Sequence, residues 1–452
     1  MRRASWLLLG IGVALAIPAG RAAAADPPAS AATGATLTTL GNGLRLVLAP
    51  DPRAHSVDIT VWYDVGASQD RSGKTGLAHL FEHLMFRGST HFGQGEHARR
   101  VRAEGGSSGA VSTHDFTAFY QTLPGDAVEL AFRLEADRMS GLQITQEGLD
   151  LERAQVAGER ARRATPTTVG LDLLYSRAWE GHPYARSLYG LDADLARLTL
   201  QDCRDFLRTR FGPDRALITV VGNFDPEAVR ALAKRHFESL KPTKVRPAAL
   251  GTPRAQTSER RASGRSPSAV RVMMAGWRVP PRGHADWPVY SVLATLLARA
   301  SDAPLARTLI VDRPLCTSVN ADVDSRREGS MFYLAAVVNP EADSTEVEEQ
   351  AFKEVGRLLV EPVKPADLER ARRQAELGLW LGLQTPRDRA HAMGTSAMLA
   401  GDPNDLGRLA ARLREVSAAD IQRVSTQLEP ALRTVVWLSP APTASGPRGG
   451  QP

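Results

Sequence analysis

The sequence predicts an α+β chain of two related domains, and three observations predict it. Segments of strand period and segments of helix period both recur along the chain. A polar, basic stretch broken by Pro and Gly, residues 241–268, divides the chain near its middle. A helix–proline–apolar strand unit recurs near the end of each half. Leu198-Thr199-Leu200-Gln201-Asp202 leads through a helix to Pro213 and the run Arg215 to Gly222. Val416-Ser417-Ala418-Ala419-Asp420 leads to Pro430 and the run Ala431 to Leu438. The 452 residues suffice for more than one core.

In order, residues 26–35 are rich in Ala, Pro and Ser and predict a disordered lead-in. The first domain, 36–240, opens with Leu44 to Leu48 and Val57 to Val65, which alternate like strands around the turn signal Asp51-Pro52. Thr75 to Phe86 has helical spacing, and Glu96 to Glu104 predicts a short helix ended by Gly105-Gly106. Ala110 to Leu123, rich in Val, Thr, Phe and Tyr, reads as extended. Ala127 to Met139 and Gln146 to Arg163 are helical, and Ala216 to Val221 is an apolar strand closed by Gly222-Asn223. Residues 241–268 are expected to be a solvated linker to a second domain, 269–438. Ser439 to Pro452 lack apolar content and are expected to form a loose tail.

The formal charge of +6 includes Arg2, Arg3 and Arg21, which stand in a 25-residue stretch without Asp or Glu. Without that stretch 53 basic residues face 50 acidic ones, which gives no case for nucleic-acid binding. The stretch reads as a signal peptide. Arg2-Arg3 is its basic start, Trp6 to Ile17 its 12-residue apolar run, and Ala23-Ala24-Ala25 its small-residue cleavage site before Asp26. An uncleaved N-terminal anchor is the alternative. No later stretch is long and apolar enough for a membrane helix, so the mature chain is expected to be exported, to the periplasm, and to leave the membrane. The two cysteines, Cys203 and Cys316, fall in different domains, and nothing local requires them to pair. Two cysteines cannot build a Cys-rich zinc site, so any metal must be held by His and carboxylates.

His79-Leu80-Phe81-Glu82-His83 supplies such groups. Four residues apart on a helix, His79 and His83 point the same way and can address one metal ion. Glu82 shares that face and can serve as general base for an attacking water. The order is the inverse of His-Glu-x-x-His. Further on, Glu152 and Glu159 stand seven apart, almost two full turns, and so share one helix face. One can bind the metal while the other orients a histidine or the ligating carboxylate.

Gly76-Leu77-Ala78-His79-Leu80-Phe81-Glu82-His83-Leu84-Met85-Phe86-Arg87-Gly88-Ser89 resembles the signature of the inverted-motif zinc peptidases, which include pitrilysin, insulin-degrading enzyme and the mitochondrial processing peptidase. Glu152-Arg153 to Glu159-Arg160 resembles their downstream acidic segment. Ala136-Asp137-Arg138-Met139, His182-Pro183-Tyr184, Leu188-Tyr189-Gly190 and Val220-Val221-Gly222-Asn223 resemble further family segments in the same order. The resemblance implies two homologous α/β sandwich domains, each a mostly antiparallel sheet with helices packed on one face. It implies one zinc ion held by His79, His83 and Glu159, with Glu152 as a supporting carboxylate and Glu82 as the base. It also implies a peptide substrate pairing with an edge strand, here Gly109-Ala110-Val111-Ser112. The second domain is implied to lack a metal site, since its corresponding helix, Tyr290 to Ala298, contains neither His nor Glu.

Two features depart from the family pattern. The edge strand begins Gly109-Ala110 where the family has Asn-Ala. An Arg and a Tyr, seven apart in a non-catalytic half of active members, are replaced by Ile310 and Thr317. The chain thus lacks the pair that stabilises the tetrahedral intermediate. The expectation is a zinc endopeptidase subunit that works with a homologous chain supplying the Arg/Tyr pair, or as a homodimer. The alternative is a non-catalytic peptide-binding or scaffold subunit.

Overall fold

The computed structural model describes residues 34–300 and 302–440. The leader expected over residues 1–25, most of segment 26–35 and residues 441–452 of the expected tail lie outside the described residues.

The first sheet contains β1 (Thr36–Thr39), β2 (Arg45–Pro50), β3 (Val57–Tyr63), β4 (Ser107–Ser112), β5 (Thr117–Leu123) and β6 (Ala216–Gly222), in the order β1-β2-β6-β3-β5-β4. The second contains β7 (Arg260–Ser266), β8 (Arg271–Val279), β9 (Cys316–Asp324), β10 (Ser330–Val338) and β11 (Thr434–Pro440), in the order β7-β11-β8-β10-β9. Apart from β1, the two sheets have one topology. Each is antiparallel except for one parallel pair, β2 with β6 and β7 with β11. The repeated sequence unit is the helix that feeds β6 and its counterpart that feeds β11.

The helices of the first half are α1 (Leu77–Leu84), α2 (Glu96–Ala103), α3 (Val128–Gly141), α4 (Gln146–Arg163), α5 (Pro166–Ala178), α6 (Asp192–Arg197), α7 (Leu200–Arg210) and α8 (Pro226–Phe237). Those of the second are α9 (Trp287–Ala294), α10 (Pro304–Ala306), α11 (Ser344–Val360), α12 (Pro365–Leu381), α13 (Pro386–Ala400), α14 (Asp405–Glu415) and α15 (Ala418–Ser425). Leu46, Leu48, Ile59 and Val61 pack with Phe81, Phe132 and Phe237 of the helices on one face of the first sheet. The second sheet repeats this with Met273, Ala275 and Phe332 against Leu293, Val347 and Leu368.

Each sheet also receives a helix from the other half on its opposite face. Ala397, Met398 and Leu399 of α13 pack on Val47, Trp62 and Leu217 of the first sheet. Leu174 and Tyr175 of α5 pack on Met274, Val436 and Leu438 of the second. The two exchanged helices start alike, with the capping boxes Thr165–Thr168 and Thr385–Asp388 followed by Pro166 and Pro386. Each carries a glycine against the sheet. A Cβ at Gly170 would stand 2.3 Å from Met274 Sδ, and one at Gly394 2.0 Å from the Trp62 ring. This exchange explains why β3 and β6 are buried at every residue, with side chains of both faces in contact with helices.

Two boundaries are corrected. Within the expected linker, residues 241–259 lack helix and strand, but Arg260–Ser266 forms the edge strand β7. Its charged composition hides it because one side is open: Arg261 turns out to Glu259 and Glu348. Ser439 and Pro440, expected in the tail, complete β11 by pairing with Arg265 and Ser266. Cys203 and Cys316 are both buried and unbridged, one in each half.

Candidate metal centre

Leu77, Ala78, Leu80, Phe81 and Leu84 bury one side of α1, and Phe81 stacks on Phe211 with ring centroids 5.1 Å apart. The start of the helix is fixed from outside. The buried carboxylate of Asp70 accepts the N–H groups of Gly76 (2.7 Å) and Ala78 (3.0 Å). Gly76 has φ +86°, and a Cβ there would stand 2.5 Å from the Tyr189 carbonyl oxygen, so only glycine fits. These constraints turn His79 and His83 toward α4, where Leu149, Glu152 and Val156 form the buried stripe and Glu159 continues it by one turn.

His79, His83 and Glu159 each offer a ligand atom, and the three atoms lie within 4.8 Å of one another. The outer partners decide which ring nitrogens face inward. The Ser112 hydroxyl donates to Glu82 Oε2 (2.6 Å), so its oxygen accepts the Nδ1–H of His79 (2.8 Å). The Nδ1–H of His83 donates to Glu152 Oε2 (3.1 Å), whose other oxygen is held by Arg87. Both Nε2 lone pairs are then free for a metal. His83 Nε2 stands 3.1 Å from Glu159 Oε2, and His79 Nε2 is buried with no hydrogen-bond partner. A buried nitrogen without a partner, beside a second imidazole and a carboxylate, fits a zinc ion.

The charges agree. Burial disfavours ionisation of Glu82, but the hydrogen bonds from His79 and Ser112 and the charges of both histidines outweigh it and hold its carboxyl below the usual range. Burial likewise pushes His83 down, yet the hydrogen bond and charge of Glu152, with the charges of Glu159 and Glu82, hold it above its usual value. Three carboxylates around two imidazoles, with Arg163 on the outer oxygen of Glu159 at 2.9 Å, suit a cation at the centre.

The expected edge strand is β4, the last strand of the first sheet, paired only with β5 among the described residues. It ends at Ser112 and so runs directly to Glu82. Gly109 has a packing reason: a Cβ there would stand 2.2 Å from the Tyr120 hydroxyl, and Tyr120 is itself covered by Arg387 of α13 at 3.6 Å. Ile310 lies in the helical turn before β9 and Thr317 in β9 itself, where its hydroxyl donates to the Val337 carbonyl at 3.4 Å. Sequence reasoning did not give Tyr189 a role, although the segment around it was noted. Its ring stands edge-on to His79 with centroids 4.7 Å apart. Asp70 and Arg87 were also missed. Asp70 precedes α1, and Arg87, although four residues after His83, stands beyond the end of that helix at Leu84.

Residues 45–192 match Insulinase (Peptidase family M16), and residues 197–375 match the Peptidase M16 inactive domain. A zinc protease of Helicobacter pylori, PqqE, is 25% identical over 89% of this chain and 92% of its own length. A probable mitochondrial-processing peptidase subunit beta of Schizosaccharomyces pombe is 24% identical over 86% and 88%. The crystal structure of a protease from Helicobacter pylori superposes with a TM-score of 0.84 at 24% identity, over 90% of this chain and all of that one, which shows a shared fold. With both halves matched in order and the inverted motif inside the first match, the chain belongs to peptidase family M16, the zinc proteases of the insulinase type.

Proposed function

We propose that this chain is a zinc-dependent endopeptidase acting on extended peptides, with one zinc ion held by His79, His83 and Glu159. The observation that carries the reading is the convergence of these three residues with Glu82 at the end of an open-edged strand. Held by these three residues, a zinc ion would supply a water of lowered pKa and polarise the carbonyl under attack. Glu82, held by Ser112, takes the proton of the attacking water and can return it to the leaving amine. The backbone of β4 pairs with the substrate, which favours extended segments over a particular side-chain sequence. Glu152 and Ser112 keep the two imidazoles oriented.

The chain has no Arg/Tyr pair at Ile310 and Thr317, so the reading includes a second, homologous subunit that supplies it, or a homodimer. Relatives named as subunits of a processing peptidase support this. Export to the periplasm after cleavage before Asp26 belongs to the same proposal, and N-terminal sequencing of the cell-fractionated protein checks it. The scaffold alternative draws on the inactive-domain match, but that match spans residues 197–375 and leaves His79, His83 and Glu159 outside it.

The test is hydrolysis of an extended peptide by wild type and Glu82→Gln, each alone and with the candidate partner. Glu82→Gln should keep its zinc and lose roughly 10²–10⁴-fold in kcat. Equal turnover by the two proteins would refute Glu82 as the base. Full activity of the lone monomer would refute the need for a partner.

A further inference from the structure

The loop Ser325 to Gly329, between β9 and β10 of the second half, enters the first half at the turn that joins β4 to β5. Arg326 is buried 3.4 Å over the Tyr175 ring and 4.9 Å over Tyr184. Arg327 follows with four bonds. Its backbone N–H donates to Asp115 Oδ2 (3.1 Å). Its guanidinium donates to Asp64 (2.6 Å), to the Asp115 carbonyl (3.3 Å) and to the Met398 carbonyl (3.0 Å). Asp115 is itself buried and accepts the Tyr184 hydroxyl at 2.5 Å, while the N–H of Glu328 donates to that same hydroxyl.

Asp115 lies in the turn closed by Thr113 N–H to the Phe116 carbonyl at 2.8 Å. Immediately before that turn stands Ser112, bonded to both Glu82 and His79. A continuous set of short contacts thus runs from the second half through Arg327, Asp115 and the turn to the end of β4 and to Glu82.

We infer that Arg327 is a positioning residue: by gripping Asp115 it fixes the substrate strand β4, and with it Ser112, against Glu82 and His79 of α1. The inference rests on the peptidase reading above. It gives the second half, which carries no metal residues, a part in the reaction. A simple tie between the halves would need no contact at this turn. α13 and α5 already hold the halves together, and Asp51 pairs with Arg389 at 2.8 Å on another side of the first sheet.

The experiment compares wild type, Arg327→Ala and Arg327→Lys as full chains, with the partner present where turnover needs it. Zinc content is measured for each, together with kinetics on a ten-residue peptide and on a short peptide that cannot span β4. Hydrogen exchange is followed in the segments 107–116 and 45–50. Arg327→Ala should raise KM for the long peptide about tenfold, change the short one less, and leave zinc content unchanged. Exchange should quicken in 107–116 and not in 45–50, and Arg327→Lys, which keeps the charge, should recover part of both effects. An equal change for both peptides, or unchanged exchange in 107–116, would overturn the inference. If Arg327→Ala does not fold, the lysine variant and Asp115→Asn carry the same comparison. If wild type cleaves neither peptide, the peptidase reading fails, and the exchange contrast alone decides whether Arg327 holds β4.

Discussion

His79 and His83 donate their Nδ1 protons outward, to Ser112 and Glu152, and this leaves two Nε2 lone pairs facing Glu159. The pairing of donors is what separates a metal centre from two histidines on a helix. It makes Glu152 an orienting group, with Arg87 holding its other oxygen. Glu152→Gln should therefore weaken zinc binding about 10–100-fold without abolishing it, while Glu159→Gln should cost more, as read by competition with a chelator. Equal effects would mean that the two carboxylates had been assigned the wrong way round. His79, Glu82 and His83 were legible because their spacing is local to one helix turn, and Glu152 with Glu159 because seven residues return to one face. The contacts of Ser112, Tyr189 and Asp70 were not legible. Each approaches α1 from another segment, and only the folded chain places them.

At the scale of elements, α1, α4 and β6 were readable from period, since their apolar faces are continuous, whereas Ala110 to Leu123, expected as one extended run, is split by the turn 113–116 between β4 and β5. β7 was not, because an edge strand of arginines and small residues has a linker's composition. The exchange of α5 and α13 was also hidden: a helix shows which face is apolar but not which sheet it will cover. The two glycines that let these helices approach differ in what they touch. Trp62 is fully buried and its Nε1–H is bonded to Thr219 at 3.0 Å, so it cannot yield. Gly394→Ala should destabilise the protein by about 1–3 kcal/mol through overpacking. Gly170→Ala meets the flexible end of Met274 and should cost less. Thermal melts of the two variants check this order.

Across the whole molecule, two units of one topology are joined by exchanged helices and by a buried polar cluster around Arg326. His182 belongs to that cluster. Burial first, and then the charges of Arg326, Arg186 and Arg278, push its pKa down to about 4, and its Nδ1 accepts the Tyr184 N–H at 3.1 Å. The unfolded chain binds this proton near the ordinary value of 6.5, so the folded chain binds fewer protons between the two values. The stability tied to a neutral His182 is complete above about pH 6.5 and falls as the pH drops toward 4, by about 3 kcal/mol in all. His182→Asn should flatten the dependence of Tm on pH over that range, and an unchanged slope would exclude this source.

The central claim is that His79, His83 and Glu159 form one zinc site. Zinc per chain, measured by elemental analysis after dialysis, tests it most directly. The account expects one zinc in wild type and in Glu82→Gln, and little or none in His83→Ala that remains folded. A folded wild type without zinc, or zinc retained at full stoichiometry in His83→Ala, would contradict it.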